Sequence, residues 1–175
     1  IVKRALDGRR PLILPDGGLT LVGSSYVENA THTVLLAVDN IERSTGQIYN
    51  VSDDRQFTMA QIAQIVADEL GHEFDYVSMP FDQAVPGWPF IHNHSTTHRL
   101  LDNHKARTEL GYRDLVDPEV GLRRTVRWQA ENYPGDATVS DRLQDPFDYD
   151  AEDQLLAAYE RFAAEAAAVN YPEHP

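Results

Sequence analysis

The stretch SSYVENATHTVLLAVDN, residues 24–40, decides which fold the sequence predicts. Residues 24–27 have the composition of a short strand, and Asn29 is placed to cap the following helix with its side-chain oxygen. That helix carries apolar residues at the three-to-four spacing of a buried stripe: Ala30, Val34, Val38 and Ile41. A strand that leads directly into an apolar helix indicates a layered α/β protein.

Two more strands are predicted further along the chain, over residues 47–51 and 74–79. The clearest helix begins at a capping box formed by Thr58 and Gln61 and ends at Gly71. Because helices separate the strands, the pattern predicts βαβ units. Three short strands make a poor sheet by themselves, so the rest of the sheet is expected upstream of the chain or in another chain.

The composition excludes several classes of function. The chain has 175 residues, 42% of them hydrophobic, which is enough for a packed core, and it has no cysteine. The lack of cysteine excludes disulfides and fits a cytoplasmic location. No apolar run approaches the roughly 18 residues of a membrane span, so no membrane partner is expected. The formal net charge of −13 disfavours a nucleic-acid partner.

The acidic residues concentrate near the end of the chain. Residues 136–175 hold ten acidic residues against two arginines, and they predict an acidic helical extension that is distinct from residues 1–135. The extension has an apolar stripe at Leu155, Tyr159 and Phe162. We expect this stripe to pack against its own domain or, alternatively, to form the contact of a homodimer.

Several short motifs in residues 1–133 follow one another in an informative order. YVEN (26–29) heads a helix, GQIYNV (46–51) follows, Thr58 opens the amphipathic helix, and KARTELGY comes next (105–112). In this order the motifs resemble the C-terminal half of extended short-chain dehydrogenases/reductases, the NAD-dependent epimerase/dehydratase superfamily. The resemblance implies an α/β fold in which a few short strands and several helices form the C-terminal part of a Rossmann-like enzyme.

The resemblance further implies that an N-terminal Rossmann portion holds NAD or NADP and supplies a Tyr-x-x-x-Lys pair. This sequence contains no Gly-x-Gly-x-x-Gly turn, which a dinucleotide pyrophosphate needs, and none of its eight tyrosines has a lysine four residues later. A chain that starts with Ile1 inside an apparent helix also looks like a fragment. We therefore expect this chain to lack the N-terminal portion, to bind no cofactor alone and to be inactive alone.

The resemblance places the substrate near the loop of residues 81–100. Nucleotide-sugar enzymes of the family hold the diphosphate with arginines, but this chain has Val22 at the first such position and Arg99 closer to the next helix than usual. A lost bidentate arginine weakens phosphate binding, which disfavours a nucleoside-diphosphate sugar. YVEN also resembles the branch with hydroxysteroid-type dehydrogenases. The predicted substrate-binding residues are Trp88, Phe90, His92, His94 and Arg99.

Other clusters of functional side chains have simpler interpretations. The histidines at 92, 94, 98 and 104 have spacings that suit zinc, but without cysteine help we expect a polar pocket loop and no metal. The pairs Asp53–Asp54 and Asp148–Asp150 are expected to be solvated caps instead of acid/base groups. Trp88 and Phe90 wall an apolar pocket or simply pack against the sheet. The basic cluster on the helix after Asp117 is expected to be a solvated face or a dock for the acidic tail; it comprises Arg123, Arg124 and Arg127.

The sequence thus predicts the C-terminal substrate-binding portion of an NAD(P)-dependent epimerase/dehydratase-like oxidoreductase. The expected reaction of the whole protein is hydride transfer at a secondary alcohol or ketone of a small sugar- or sterol-like molecule. The alternative is a non-catalytic binding module with the same fold, either RNA-binding or regulatory, because the GWPF loop (87–90) also resembles chloroplast stem-loop-binding relatives.

Overall fold

The computed structural model describes residues 1–90, 97–136, 138 and 145–170. The chain divides into two compact units, Ile1–Pro134 and Gly135–Pro175. The helices described in the first unit are α1 Val2–Leu6, α2 Val27–Asp39, α3 Ile41–Ser44, α4 Met59–Leu70, α5 His104–Leu110 and α6 Pro118–Glu131. Its strands are β1 Pro11–Pro15, β2 Leu21–Val22, β3 Phe57–Thr58 and β4 Asp75–Met79, and 3-10 turns lie at Asp16–Gly18 and Val85–Phe90.

The described strands form two small sheets. β1 pairs in parallel with β4, with Pro11 opposite Asp75, and β2 pairs antiparallel with β3. Helix α4 lies between β3 and β4 in the chain and packs on β1. The core of this contact consists of Leu12, Leu14, Met59, Ala63, Ala67 and Phe74. The expected α/β class with few short strands and several helices is confirmed.

Helix α4 forms as its sequence predicts. The Gln61 N–H donates to Thr58 Oγ1 (3.2 Å), and the Thr58 N–H donates to Gln61 Oε1 (2.9 Å), which completes the capping box. At the other end Gly71 adopts φ 62°, the left-handed conformation that favours glycine at a helix end. Both signals are local, so the sequence alone fixes the position of this helix.

Two predicted strands are wrong. The strand near residue 24 lies earlier, at β2, and Val27 already begins α2. Residues 47–51 form no strand, and Ile48 is 84% exposed. Side chains hold this segment instead, since the Tyr49 hydroxyl donates to Glu109 Oε2 (2.8 Å). A strand requires a neighbouring strand to satisfy its amides, and none of the described strands pairs with residues 47–51.

Helix α2 buries its polar face and exposes its apolar one. The predicted stripe exists, but Val34 and Val38 are 60% and 61% exposed. The buried residues of α2 are Asn29 and Thr33. A surface helix normally places its apolar stripe against the core. Within the described residues the stripe is thus uncovered, as expected if the rest of the sheet lies upstream or in another chain, and the orientation of the helix within this unit has a polar cause.

That cause is the side chain of Asn29, which is fully buried and is not the helix cap, since Tyr26 holds that position. Its Nδ2 donates to Asp53 Oδ1 and to the Val116 carbonyl, both at 2.9 Å. Its Oδ1 accepts from the N–H groups of Leu115 (2.9 Å) and Val116 (3.0 Å). One amide thus uses its full hydrogen-bonding capacity to join α2 to two distant segments.

Asp53 is buried, not a solvated cap as expected. Its Oδ2 accepts from the Tyr26 N–H (2.8 Å), which satisfies the first turn of α2 from outside the helix. Burial raises the pKa of Asp53, and the hydrogen bonds from Asn29 and Tyr26 act in the opposite direction. Asp53 therefore serves as a structural acceptor that fixes where α2 begins.

The arginines of α6 pair with acidic residues of α4, of α2 and of α6 itself. Arg123 donates to Glu119 (2.9 Å) and Glu69 (3.4 Å), Arg127 pairs with Glu69 of α4, and Arg124 lies 3.5 Å from Glu28 of α2. These pairs join α6 to α4 and α2. Arg124 and Arg127 are nevertheless about half exposed (47% and 51%), so the cluster combines ion pairs with a solvated face.

The second unit contains α7, Tyr149–Ala167, whose first turn is capped by Asp148 as predicted. The Ala151 N–H donates to Asp148 Oδ1 (3.0 Å). Leu156 of this helix is buried, whereas Phe162 of the predicted stripe is exposed. No helix in the described part of the chain has the length and hydropathy needed to cross a bilayer.

Replacing Asn29 with aspartate is expected to destabilise the chain by about 3 kcal/mol at neutral pH, because it removes two donors and buries a second carboxylate beside Asp53. Both carboxyl pKa values in the folded variant then exceed their unfolded values. The deficit should therefore shrink as pH falls towards about 5, since one carboxyl takes up a proton. Urea unfolding at both pH values measures this.

Asn132→Asp is the matched control, because the Asn132 amide is exposed and, among the described residues, donates only to the Trp128 carbonyl (2.9 Å). Asn132→Asp should lower the free energy of unfolding by less than about 1 kcal/mol, with little pH dependence. Equal costs at positions 29 and 132 would refute the role of Asn29.

Candidate functional site

A cavity of about 410 Å³ opens beside the end of β2. One wall is the segment Gly23–Ser25, the second is Val51 and Ser52, and the third is the segment 98–101. The residues of that third segment are His98, Arg99, Leu100 and Leu101. This volume lies within the range of small-molecule sites.

The segment 98–101 is held along β2 by one side-chain and one main-chain hydrogen bond. The Leu21 N–H donates to His98 Nδ1 (3.0 Å), and the Arg99 N–H donates to the Leu21 carbonyl (3.3 Å). A Cβ atom on Gly23 would lie only 2.2 Å from the Arg99 carbonyl oxygen. Only glycine therefore permits this close approach, which places Arg99 at the cavity.

Gln56 organises the opposite wall. Its Nε2 donates to Ser52 Oγ (2.8 Å) and to the Ser24 carbonyl (3.2 Å), and its Oε1 accepts from the Ser24 N–H (2.8 Å). Sequence reasoning missed this residue. No motif signals it, because its partners lie up to 32 positions away in the chain.

Ser25 carries an unusual hydroxyl. Its Oγ is buried and has no hydrogen-bond partner among the described residues. Ser25 lines both the 410 Å³ cavity and a second cavity of about 590 Å³. The second cavity is also lined by Tyr26, Val27, Arg124, Thr125 and Trp128. An unpaired buried hydroxyl costs free energy, because it has given up water without gaining a protein partner.

The predicted substrate-binding residues separate in space. Arg99 lines the 410 Å³ cavity, but Trp88 and Phe90 do not. The Trp88 Nε1–H donates to the Phe81 carbonyl (2.8 Å). The rings of Trp88 and Phe81 also stack, with centroids 5.8 Å apart. Phe90 packs on the core and lies 5.1 Å from the Arg4 guanidinium. These contacts match the simpler packing interpretation of both aromatic residues.

The predicted contacts His92 and His94 lie outside the described residues. Of the other two histidines in that set, His98 lines the cavity and His104 begins α5. In the part of the chain that the structure describes, no group of three His, Cys, Asp or Glu side chains is placed to hold a metal ion.

Tyrosines whose pKa is shifted are unsuited to proton transfer in this chain, as Tyr112 shows. Tyr112 is fully buried and donates its hydroxyl to Asp114 Oδ1 (2.7 Å). Burial, together with this carboxylate, raises the pKa of Tyr112 well above its usual value. A tyrosine that acts as a general acid needs a pKa lowered towards neutrality. Tyr112 therefore stays protonated and structural.

The glycine turn after β1 does not fit a dinucleotide pyrophosphate. Gly17 and Gly18 form a turn after β1, both with φ 68°. A Cβ on Gly18 would lie 2.9 Å from the Ala60 nitrogen and 3.1 Å from Leu14 Cδ1. This turn packs directly on the first turn of α4, so a phosphate has no space between them.

Comparison with curated proteins identifies several relatives. The uncharacterized protein YbjS of Escherichia coli is 28% identical over 67% of this chain and 40% of its own length. The decarboxylating sterol-4-alpha-carboxylate 3-dehydrogenase of Schizosaccharomyces pombe is 28% identical over 63% of this chain and 39% of its own length. The UDP-N-acetyl-alpha-D-glucosaminuronate decarboxylase of Bacillus cytotoxicus is 27% identical over 74% of this chain and 38% of its own length. No protein-family model matches the chain.

Solved structures with a similar fold include two enzymes with bound ligands. UDP-glucose 4-epimerase of Thermotoga maritima with UDP-glucose matches 75% of this chain and 38% of its own, with a TM-score of 0.58 and 22% identity. The Bordetella bronchiseptica enzyme WbmF with NADH matches 85% of this chain and 39% of its own, with a TM-score of 0.56 and 23% identity.

These matches define the class of fold. The resemblance to the C-terminal half of the extended short-chain dehydrogenases/reductases, the NAD-dependent epimerase/dehydratase superfamily, is confirmed. The chain spans about 40% of the length of the curated relative YbjS that it matches.

Ser25→Ala is expected to raise the free energy of unfolding by about 1 kcal/mol, because it removes a buried hydroxyl without a partner. Ser52→Ala is the matched control. Its Oγ accepts from Gln56 Nε2, so the substitution should lower the free energy of unfolding by about 1–2 kcal/mol. Urea unfolding of both variants measures the difference. A loss of stability in Ser25→Ala equal to that of Ser52→Ala would show that Ser25 Oγ is satisfied in solution.

Proposed function

We propose that this chain is the substrate-binding portion of an NAD(P)-dependent epimerase/dehydratase-like oxidoreductase. The reaction is hydride transfer at a secondary alcohol or ketone of a sugar- or sterol-like substrate. The fold supports this proposal, as do relatives whose names include a sterol dehydrogenase and a UDP-sugar decarboxylase. The protein is proposed to act in the cytoplasm.

The observation that carries the proposal is the exposed apolar face of α2. Val27, Val34 and Val38 are spaced so that they share one side of the helix, and all three are at least 60% exposed. Ile41 and Ile48 are also exposed nearby in the sequence. We propose that an N-terminal nucleotide-holding sheet covers this face. Covering each such side chain stabilises the assembly by about 1–2 kcal/mol.

The proposed roles of the N-terminal portion and of this chain follow from which binding groups this chain contains. The N-terminal portion supplies the glycine-rich turn for NAD or NADP and the Tyr-x-x-x-Lys pair, in which the lysine helps to keep the tyrosine near its working pKa. This chain supplies the substrate side, where Arg99 and the segment Gly23–Ser25 meet. Trp88, Phe90, His92 and His94 remain proposed substrate contacts.

Cofactor binding tests the proposal. The product of the complete reading frame that encodes this chain should bind NADH or NADPH at micromolar concentrations and enhance nicotinamide fluorescence. The 175-residue chain should bind neither cofactor, because its sequence has no Gly-x-Gly-x-x-Gly turn and its Gly17–Gly18 turn packs against α4. Replacing the tyrosine of the Tyr-x-x-x-Lys pair with phenylalanine should abolish turnover and leave cofactor binding intact. A complete product without cofactor affinity would refute the proposal.

A substitution on α2 tests the proposed covering of its apolar face. Val34→Gln should change the stability of the 175-residue chain by less than about 0.5 kcal/mol, because the side chain is exposed there. In the complete product the same change should cost about 1–2 kcal/mol. Val169→Gln, at an exposed valine beyond α7, is the control and should be neutral in both. Denaturant unfolding measures each substitution in both the 175-residue chain and the complete product. An unchanged stability of the complete product with Val34→Gln would contradict the proposed covering of α2.

A further inference from the structure

Two aspartates of the chain are followed directly by glycine, and their surroundings differ. They are Asp7, before Gly8 at the end of α1, and Asp16, before Gly17 after β1. In an Asp-Gly pair the glycine nitrogen can attack the aspartate carboxyl carbon and close a five-membered succinimide ring, because glycine has no side chain to obstruct the approach. The local structure then decides whether a given pair reacts.

Asp16 lies in a strained, exposed turn. Its φ is 48°, in the left-handed region that residues with a side chain rarely adopt. Gly17 follows with φ 68°. Among the described residues the Gly17 N–H donates to no main-chain carbonyl outside this turn. The attacking nitrogen is therefore not held by a main-chain hydrogen bond to another element of the fold.

The carboxyl group of Asp16 is positioned by a main-chain donor. The Phe81 N–H donates to Asp16 Oδ1 (3.0 Å), and Phe81 is itself held, because the Trp88 Nε1–H donates to its carbonyl (2.8 Å). When a nitrogen adds to a carboxyl carbon, negative charge develops on the carboxyl oxygen. A preorganised N–H at that oxygen stabilises this charge, so the contact with Phe81 favours ring closure.

Asp7 is restrained at both reacting groups. Its Oδ2 lies 2.6 Å from Lys3 Nζ. The Gly8 N–H donates to the Ala5 carbonyl (3.1 Å). The ion pair and the hydrogen bond must both break before the nitrogen can reach the carboxyl carbon. The same dipeptide is thus protected in α1, which makes Asp7 an internal reference for Asp16.

We propose that Asp16–Gly17 is a site of spontaneous isomerisation to isoaspartate. The Gly17 nitrogen bonds to the Asp16 carboxyl carbon, and one carboxyl oxygen leaves as water with the amide proton and one proton from solvent. Water then adds at the Asp16 main-chain carbonyl carbon and breaks its bond to the Gly17 nitrogen. The main chain now runs through the former side chain. The site is independent of the proposed function, since the reaction needs no substrate or cofactor.

Isomerisation has a structural consequence, because it adds one carbon atom to the main chain of this turn. A Cβ on Gly18 would lie only 2.9 Å from the Ala60 nitrogen, so the turn has no room to shift towards α4. The isomerised chain should therefore unfold at a lower urea concentration than the fresh chain. Equal unfolding of the two would refute this consequence.

Incubation of the folded 175-residue chain in water enriched in oxygen-18, in a mildly acidic buffer, tests the proposal. Hydrolysis of the succinimide adds one heavy oxygen at the residue that reacted, and fragmentation of tryptic peptides locates it. Cleavage after Arg9 places Asp7 and Asp16 in different peptides. Asp16 should take up label about tenfold faster than Asp7, because Asp7 must first lose a hydrogen bond and an ion pair. In concentrated urea both should label at similar rates.

Two variants at position 81 test the role of the main-chain donor. Phe81→Pro removes the N–H, and Phe81→Ala keeps the N–H but removes the ring. Labelling at Asp16 should fall about tenfold in Phe81→Pro and stay within about twofold of wild type in Phe81→Ala. Circular dichroism checks that both variants fold.

Three outcomes would overturn the proposal. They are no labelling of Asp16 in the folded chain, equal labelling of Asp7 and Asp16 in the folded chain, and equal labelling of Asp16 in the two variants at position 81. The comparison of the two aspartates needs no substitution, so it decides even if Phe81→Pro does not fold.

Discussion

The buried amide of Asn29 is the interaction on which the rest of the first unit depends. It joins three segments that are far apart in the chain: α2, Asp53 and the residues before α6. Because a buried amide is costly unless all of its groups are paired, only one orientation of α2 satisfies it. That orientation turns Thr33 inwards and the valines outwards. Hydrogen bonding, and not the hydrophobic stripe, therefore sets the position of this helix.

The same constraint builds the cavity. With α2 fixed from Tyr26 onwards by Asp53, the preceding residues Gly23–Ser25 must run between β2 and the helix. Gln56 then fastens Ser24, and the absence of a side chain at Gly23 brings Arg99 close. The site is thus assembled from hydrogen bonds and close contacts of short, irregular segments, and the helices and strands around it hold those segments in place.

Features with local causes could be predicted from the sequence. The capping box of α4, the end at Gly71 and the Asp117 cap of α6 depend only on residues within a turn. Residues 47–51 have the composition of a strand, but a strand needs a partner, which the sequence of one segment does not reveal. The helical period of α2 was predictable. The side that faces inwards was not, because it depends on contacts between Asn29 and Val116, 87 positions apart.

The candidate site was predictable only where a resemblance located it. Arg99 was identified in that way, and the structure places it at the cavity. Ser25, Gln56 and Gly23 gave no signal, because their roles arise from an unpaired hydroxyl, from hydrogen bonds distant in sequence and from a close main-chain approach. A glycine without positive φ is especially hard to interpret in a sequence, since only its neighbours in space show why no side chain fits.

The outward valines of α2 also have a colloidal consequence. At neutral pH the net charge of −13 makes copies of the chain repel one another, so the exposed apolar face of α2 rarely contacts another copy. Near the isoelectric point of about 4.8 that repulsion vanishes while the attraction between valine faces persists. The protein should therefore have its solubility minimum on the acid side, where storage and crystallisation would favour precipitation.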